Sequence, residues 1–303
     1  MLRILSHPDC AGHVTPDEHP ESPARLAAAM RGLERMQNVH FRQAAPVDDA
    51  TLKLAHTPHH IAHMKNLAAE GGATAIDPDT WFGPGTLQAA LLAAGAACDA
   101  VDHVMENRCQ RAFAVVRPPG HHAESYRAMG FCIFNNIALA AARALAEHGL
   151  ERIAICDFDV HHGNGTEEIV SGNEEIMFAS SHQFPLYPGT GNPETTAAGN
   201  VHNVTLSPGA TSDAFRDAWL SHLLPRITAF RPQLILVSAG FDGHFADPLA
   251  QLRLKDDDYF WIGQELRKIA DKHASGRLVA SLEGGYNLDA LERSVQAFAD
   301  ALV

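Results

Sequence analysis

Residues 157–161 read Asp-Phe-Asp-Val-His, setting three groups able to bind a cation at alternate positions. In an extended segment Asp157, Asp159 and His161 would point to one side, because strand side chains alternate with period two. Carboxylates together with an imidazole suit a borderline dication such as zinc. A lone D-x-H is more often loop polarity and capping. Here the run continues His162-Gly163-Asn164-Gly165 and directly follows an apolar segment. Asp242, in Ser238-Ala239-Gly240-Phe241-Asp242, ends another apolar run and is the candidate for a further ligand. Asp247, before Pro248, reads equally as a turn or cap residue. Two carboxylates and one imidazole leave an open position for water, the pattern of a catalytic zinc site.

Gly120-His121-His122 follows two prolines that fix the backbone. Adjacent histidines cannot share a strand face, so they are expected to take different jobs. One near a metal-activated water could act as general base and then acid; the bland alternative is a pair of loop histidines with ordinary hydrogen bonds. Glu283-Gly284-Gly285-Tyr286-Asn287 is a glycine turn able to swing a tyrosine into a site. A phenol suits donation to a developing oxyanion, whereas a packed tyrosine bonded to backbone is the plain reading. His56, His59, His60 and His63 fall at i, i+3, i+4 and i+7, which predicts a shared helical face. No carboxylate accompanies them, so metal binding is not expected there. The alanine-rich 87–99 stretch predicts tight helix packing.

Short apolar runs at 3–5, 112–116, 153–156, 176–179, 234–237 and 278–280 predict strands. Amphipathic stretches near 23–35, 87–106, 136–147, 213–230, 256–273 and 288–302 predict helices between them. That alternation implies an α/β fold, a parallel sheet covered on both faces. The chemistry-bearing segments follow the strands, and open α/β sheets bind ligands at the carboxyl ends of their strands.

The 303 residues show no repeat and no linker, and are expected to form one domain spanning 1–303. A formal charge of −13 argues against generic nucleic-acid binding. No apolar run is long enough for a membrane span and no signal-peptide pattern opens the chain, so a cytoplasmic location is expected. Cys10, Cys98, Cys109, Cys132 and Cys156 are scattered, which predicts free buried thiols. The 19 histidines are the better lead.

Taken together, the sequence resembles the histone deacetylase family, in particular its class II-like and bacterial amidohydrolase members. The motifs run in order from His19-Pro20-Glu21-Ser22-Pro23-Ala24-Arg25 through R-P-P-G-H-H, G-F-C-I-F-N-N, D-F-D-V-H-H-G-N-G-T, Y-P-G-T-G and S-A-G-F-D to L-E-G-G-Y-N. The resemblance implies the arginase/deacetylase fold, three-layer α/β/α about a central parallel sheet. It assigns one zinc ion to Asp159, His161 and Asp242, the general base and acid to His122, and an electrostatic role to His121 beside Asp157. Asn164 matches the residue that orients the second histidine, and Tyr286 the oxyanion donor. Asp157 and Ser180, with the carbonyls of Asp159 and His161, match a structural potassium site. Phe131 matches one wall of an acyl-lysine channel with the Gly130 carbonyl at its floor. Tyr187 stands where the opposite wall is usually phenylalanine. Asp79 aligns with a rim aspartate, and Leu249 with a lysine-selective gate.

The implied function is zinc-dependent hydrolysis of N-acetyl-lysine or a similar acylated amine, with no nucleic-acid or membrane partner and the oligomeric state open. The nearest alternative is an acetylpolyamine amidohydrolase. Less favoured are an arginase-like dinuclear ureohydrolase, for which His244 stands where a further aspartate would be expected, and a non-catalytic acyl-lysine or acetate sensor.

Overall fold

Apolar runs without polar alternation are buried on both faces only between two helical layers. The computed structural model describes residues 1–194 and 198–303. Its strands are β1 (Leu2–Ser6), β2 (Val39–Gln43), β3 (Thr74–Ala75), β4 (Trp81–Phe82), β5 (Arg111–Ala114), β6 (Ile153–Asp157), β7 (Ile176–Gln183), β8 (Val201–Leu206), β9 (Leu234–Ala239) and β10 (Leu278–Leu282). Eight of them form one parallel sheet in the order β2-β1-β5-β10-β9-β6-β7-β8, and β3 and β4 pair in a small antiparallel ribbon. Every residue of β5, β6, β7, β9 and β10 is buried.

The helices are α1 (Ala24–Glu34), α2 (Asp49–Leu52), α3 (Pro58–Glu70), α4 (Thr86–Met105), α5 (Asn136–His148), α6 (Asn164–Val170), α7 (Ser212–Asp217), α8 (Leu224–Phe230), α9 (Asp256–His273) and α10 (Leu288–Leu302). Among them α1, α10 and α9 pack in series, while α4 packs with α5 as a separate group. The expected α/β architecture is the one observed. Alanines keep α4 slim, and a Cβ at its Gly95 would collide with the Ala45 carbonyl. Asn135 and Asn287 cap α5 and α10, each accepting a hydrogen bond from a first-turn backbone N–H. The five cysteines are free and buried. Among the described residues no helix is long and apolar enough to cross a membrane.

The structure departs from the sequence pattern in several places, among them the short elements β3, β4, α2 and α6, which no pattern predicts. Strands β2 and β8 were not predicted; they are sheet edges, and neither carries a continuous apolar run. The stretch expected as one helix at 213–230 opens into a π-helical turn at Ala218–Leu223 before α8. Pro225, which has no N–H to offer the ladder, follows that turn. The four histidines near α3 do not share a face. His56 precedes the helix and turns inward with His60, while His59 and His63 face solvent.

The middle strands decide the rest. β5, β10, β9 and β6 are neighbours and parallel, so the segments that follow them emerge at one edge. Gly120-His121-His122, Glu283–Tyr286, Asp242 and Asp157–His161 are thereby delivered side by side.

Candidate active site

Beyond β6 the chain bends rather than staying extended. Asp157 Oδ1 accepts from the Asp159 N–H at 3.1 Å, and Asp159 Oδ1 accepts from the His161 N–H at 2.9 Å. These turns replace the alternation expected from sequence. Asp157 faces His121, whereas Asp159 and His161 converge on Asp242. His161 Nδ1 lies 3.1 Å from Asp159 Oδ1 and 3.1 Å from Asp242 Oδ2. The three residues are buried, and one ligand atom from each lies within 4.8 Å of the others.

This donor set fits a dication. Zinc bonds of about 2.0–2.1 Å put tetrahedral donors roughly 3.3–3.4 Å apart, close to the separations seen. A single ring N–H cannot neutralise two buried carboxylates, whereas a central dication would. Backbone groups aim the oxygens: the Gly284 N–H donates to Asp159 Oδ2 at 2.8 Å and the Val160 N–H to Asp242 Oδ1 at 3.0 Å. Glycine is required around them, because a Cβ at Gly240 would strike Asp159 Oδ2 and one at Gly284 would strike Asp242 Oδ2.

The histidine pair divides its work through its partners. His121 Nδ1 is 3.1 Å from Asp157 Oδ2, and its Nε2 is 3.8 Å from Asp159 Oδ1. Burial disfavours the His121 cation, but Asp159 and Asp157 outweigh it and push the ring up to about 10. The neighbouring His122 ring is 4.0 Å away between centroids. Burial, then the charges on His121 and His161, hold His122 well below its ordinary value. The Asn164 amide orientation is fixed from outside: Nδ2 donates to Glu124 Oε1 at 2.8 Å, leaving Oδ1 to accept from His122 Nδ1 at 2.8 Å. The His122 Nε2 lone pair is therefore the one left free. Asp157 and Ser180, expected to share an ion, are register partners across β6 and β7. Ser180 Oγ also lies 3.0 Å from His182 Nδ1.

A cavity of about 300 Å³ opens over this cluster, lined by His122, His161, Tyr286, Phe131, Tyr187 and Leu249 among others. Gly130 and Phe131 both take left-handed backbone, φ 57 and 69. A Cβ at Gly130 would strike the His122 ring, so the chain can pass there only as glycine. Phe131 stands edge-on to Tyr286 with centroids 5.8 Å apart, and Tyr187 edge-on to His122 at 5.2 Å. Asp79 is exposed where it lines the cavity, and its carbonyl accepts from His19 Nε2 at 3.1 Å. Of the sequence-derived residues, Asp79, His122, Gly130, Phe131, His161, Tyr187, Leu249 and Tyr286 line this cavity, while Asp157, Asn164 and Ser180 are not among its lining residues.

Four residues that hold the site were not singled out from sequence. Glu124 anchors Asn164. Glu283 Oε2 accepts from the Gly120 and His121 N–H groups at 2.6 and 3.1 Å. Arg25 lies over the Tyr286 ring at 4.9 Å, donates to the Gly285 carbonyl at 2.6 Å and also binds the Glu283 carbonyl. Asp247, which the sequence offers only as a turn or cap residue, accepts through its carboxylate from the Tyr286 N–H at 2.7 Å. A charged residue close to glycine or proline marks Arg25, Glu283 and Asp247, but nothing in the sequence shows which groups they hold, and Glu124 carries no such mark.

Comparison with known proteins agrees with this geometry. The histone deacetylase domain matches residues 19–302. The histone deacetylase-like amidohydrolase of Pseudomonas aeruginosa is 39% identical over 285 residues, covering 92% of this chain and 74% of that protein. Histone deacetylase 14, chloroplastic, of Arabidopsis thaliana is 36% identical over 301 residues, covering 96% and 71%. The crystal structure of the HDA15 HD domain superposes with a TM-score of 0.92 at 32% identity, covering 99% of this chain and 89% of that one. A match that runs through every segment meeting at the cavity, over nearly the whole length, makes this chain a member of the histone deacetylase family.

Proposed function

We propose that the chain is a zinc-dependent deacetylase that hydrolyses N-acetyl-lysine or a similar acylated amine, with residues 1–303 acting as one catalytic unit. The observation that carries this reading is the convergence of Asp159, His161 and Asp242 beneath a cavity shared by His122 and Tyr286. Those three side chains would hold one zinc ion, which when bound supplies Lewis acidity and a readily deprotonated water.

The protein's own groups do the rest. With Nδ1–H committed to Asn164, His122 offers Nε2 to take a proton from the attacking water. Tyr286 donates its hydroxyl hydrogen to the oxygen that gains charge as the amide carbonyl is attacked. His121, kept protonated by the carboxylates of Asp159 and Asp157, stabilises the negative charge that builds beside it. A protonated histidine then delivers its proton to the departing amine. Phe131 and Tyr187 flank the slot that an extended alkyl amine would occupy, and the Gly130 carbonyl would accept from the substrate amide. Asp157 and Ser180, adjacent across two strands, would hold a potassium ion beneath the zinc ligands.

Leu249 supports lysine over polyamine, since an apolar wall offers no charge to a second ammonium group. His244 supports one metal rather than two: it is buried, its Nδ1 accepts from the Ala246 N–H, and its Nε2 turns to Asp256. The test is hydrolysis of acetyl-lysine peptides and acetylated polyamines, with and without chelator. Tyr286→Phe should lower kcat roughly a hundred- to thousand-fold while zinc content is unchanged. Full activity in that variant, or in chelator-treated protein, would overturn the reading.

A further inference from the structure

The Asp247 carboxylate is buried and makes three bonds to backbone N–H groups from two separate loops. Oδ2 accepts from Tyr286 at 2.7 Å and from Asn287 at 3.3 Å; Oδ1 accepts from Leu249 at 3.0 Å. Neither Tyr286 nor Leu249 belongs to a helix or strand, so no regular ladder sets its position. Both line the same cavity.

Asp247 is itself held. Its N–H donates to the His244 carbonyl at 2.9 Å, and Pro248 stiffens the backbone that follows. His244 is fixed in turn by Asp256 at 3.4 Å, and the Phe245 N–H by the Leu254 carbonyl at 2.9 Å. A rigid turn therefore presents one two-oxygen acceptor to both loops.

We infer that Asp247 is a positioning residue that sets the spacing between the Tyr286 hydroxyl and the Leu249 wall, so that one carboxylate governs both turnover and the girth of amine admitted. This rests on the hydrolase reading above. Its physical basis is leverage: a shift of about 1 Å in a group that must meet a reacting atom can cost on the order of a hundredfold in rate. Releasing Asp247 would move the tyrosine and the wall together.

Two variants test it. Asp247→Asn keeps one acceptor oxygen and replaces the other with a donor, so it can hold Leu249 or Tyr286 but not both. Asp247→Ala keeps neither. Each is assayed at matched zinc content against an acetyl-lysine peptide and an N-acetylated linear diamine. A fall in kcat of about tenfold for Asn and about a hundredfold for Ala is expected. The ratio of kcat/KM between the two substrates should also shift, about threefold or more, because the wall moves as well as the hydroxyl. Wild-type kcat in either variant, or a loss of activity with the ratio unchanged, would overturn the inference. Should neither variant fold, amide hydrogen exchange in the unaltered protein decides. Slow exchange at both Tyr286 and Leu249 is expected despite their irregular backbone, and rapid exchange at either would refute the anchor. An unaltered protein inactive on both substrates would defeat the hydrolase reading instead, with the exchange result still standing for or against Asp247.

Discussion

Two of the buried histidine groups in this molecule, His56 with His60 and His121 with His122, are given opposite tasks by their neighbours. His56 and His60 sit with ring centroids 5.1 Å apart beside Phe134. Their ring nitrogens meet backbone: His56 Nδ1 the Glu124 carbonyl at 3.2 Å, His56 Nε2 the Asn135 N–H at 2.9 Å, and His60 Nε2 the Ile133 carbonyl at 2.9 Å. Burial, with the neighbouring His60, brings His56 down to about 3. His121 is just as buried, yet Asp159 and Asp157 carry it up to about 10. Burial alone makes an imidazole neutral. A carboxylate at hydrogen-bond distance decides whether a buried ring can keep a proton; His122, bonded instead to the Asn164 amide, stays neutral with its Nε2 open to the cavity.

Substitutions sharpen that contrast. The largest effect is expected at His122→Gln, which removes the free Nε2: kcat should fall roughly a hundred- to ten-thousand-fold with zinc still bound. Metal analysis beside steady-state kinetics checks this, and retained turnover would remove His122 from the reaction. Asp157→Asn comes next, at about ten- to a hundredfold, because it orients a group rather than reacting. Losing that anion lowers the pKa of His121, so the alkaline limb of kcat/KM should move to lower pH. A limb that stays in place would mean that Asp157 does not hold the proton.

His56→Gln should leave kcat and zinc content untouched while costing about 1–3 kcal/mol of stability, from the lost backbone bonds. The pH dependence gives its sign. Folded His56 resists protonation down to about 3, against an ordinary value of 6.5. The neutral ring therefore stabilises the fold fully above pH 6.5, and that contribution is lost as pH falls toward 3. Denaturant unfolding across this window should show a shallower decline in the variant. A kinetic defect there would erase the distinction between the two sets.

The sequence made the central strands readable because burial on both faces forces continuous apolar runs, as in Ile153–Cys156 and Leu234–Val237. It hid β2 and β8 because an edge strand can remain partly exposed. The candidate metal cluster of Asp159, His161 and Asp242 was legible from residue type and strand-end position. Their orientation was not: the bend after Asp157 depends on side-chain bonds to the backbone two residues on. Glu124, Glu283 and Asp247 were opaque for a related reason. Each acts on groups tens to hundreds of residues away, through N–H groups or an amide that carry no sequence signature of being held.

The placement of Arg25 has a consequence for how the molecule comes into being. Its guanidinium binds carbonyls 258 and 260 positions further along the chain, while Glu21 ties it to Arg117. During synthesis the arginine must wait, hydrated, until residues 283–285 have left the ribosome. The loop bearing Tyr286 has no seat until then. A chain halted before that loop should lack both carbonyl partners of Arg25 and be incapable of turnover.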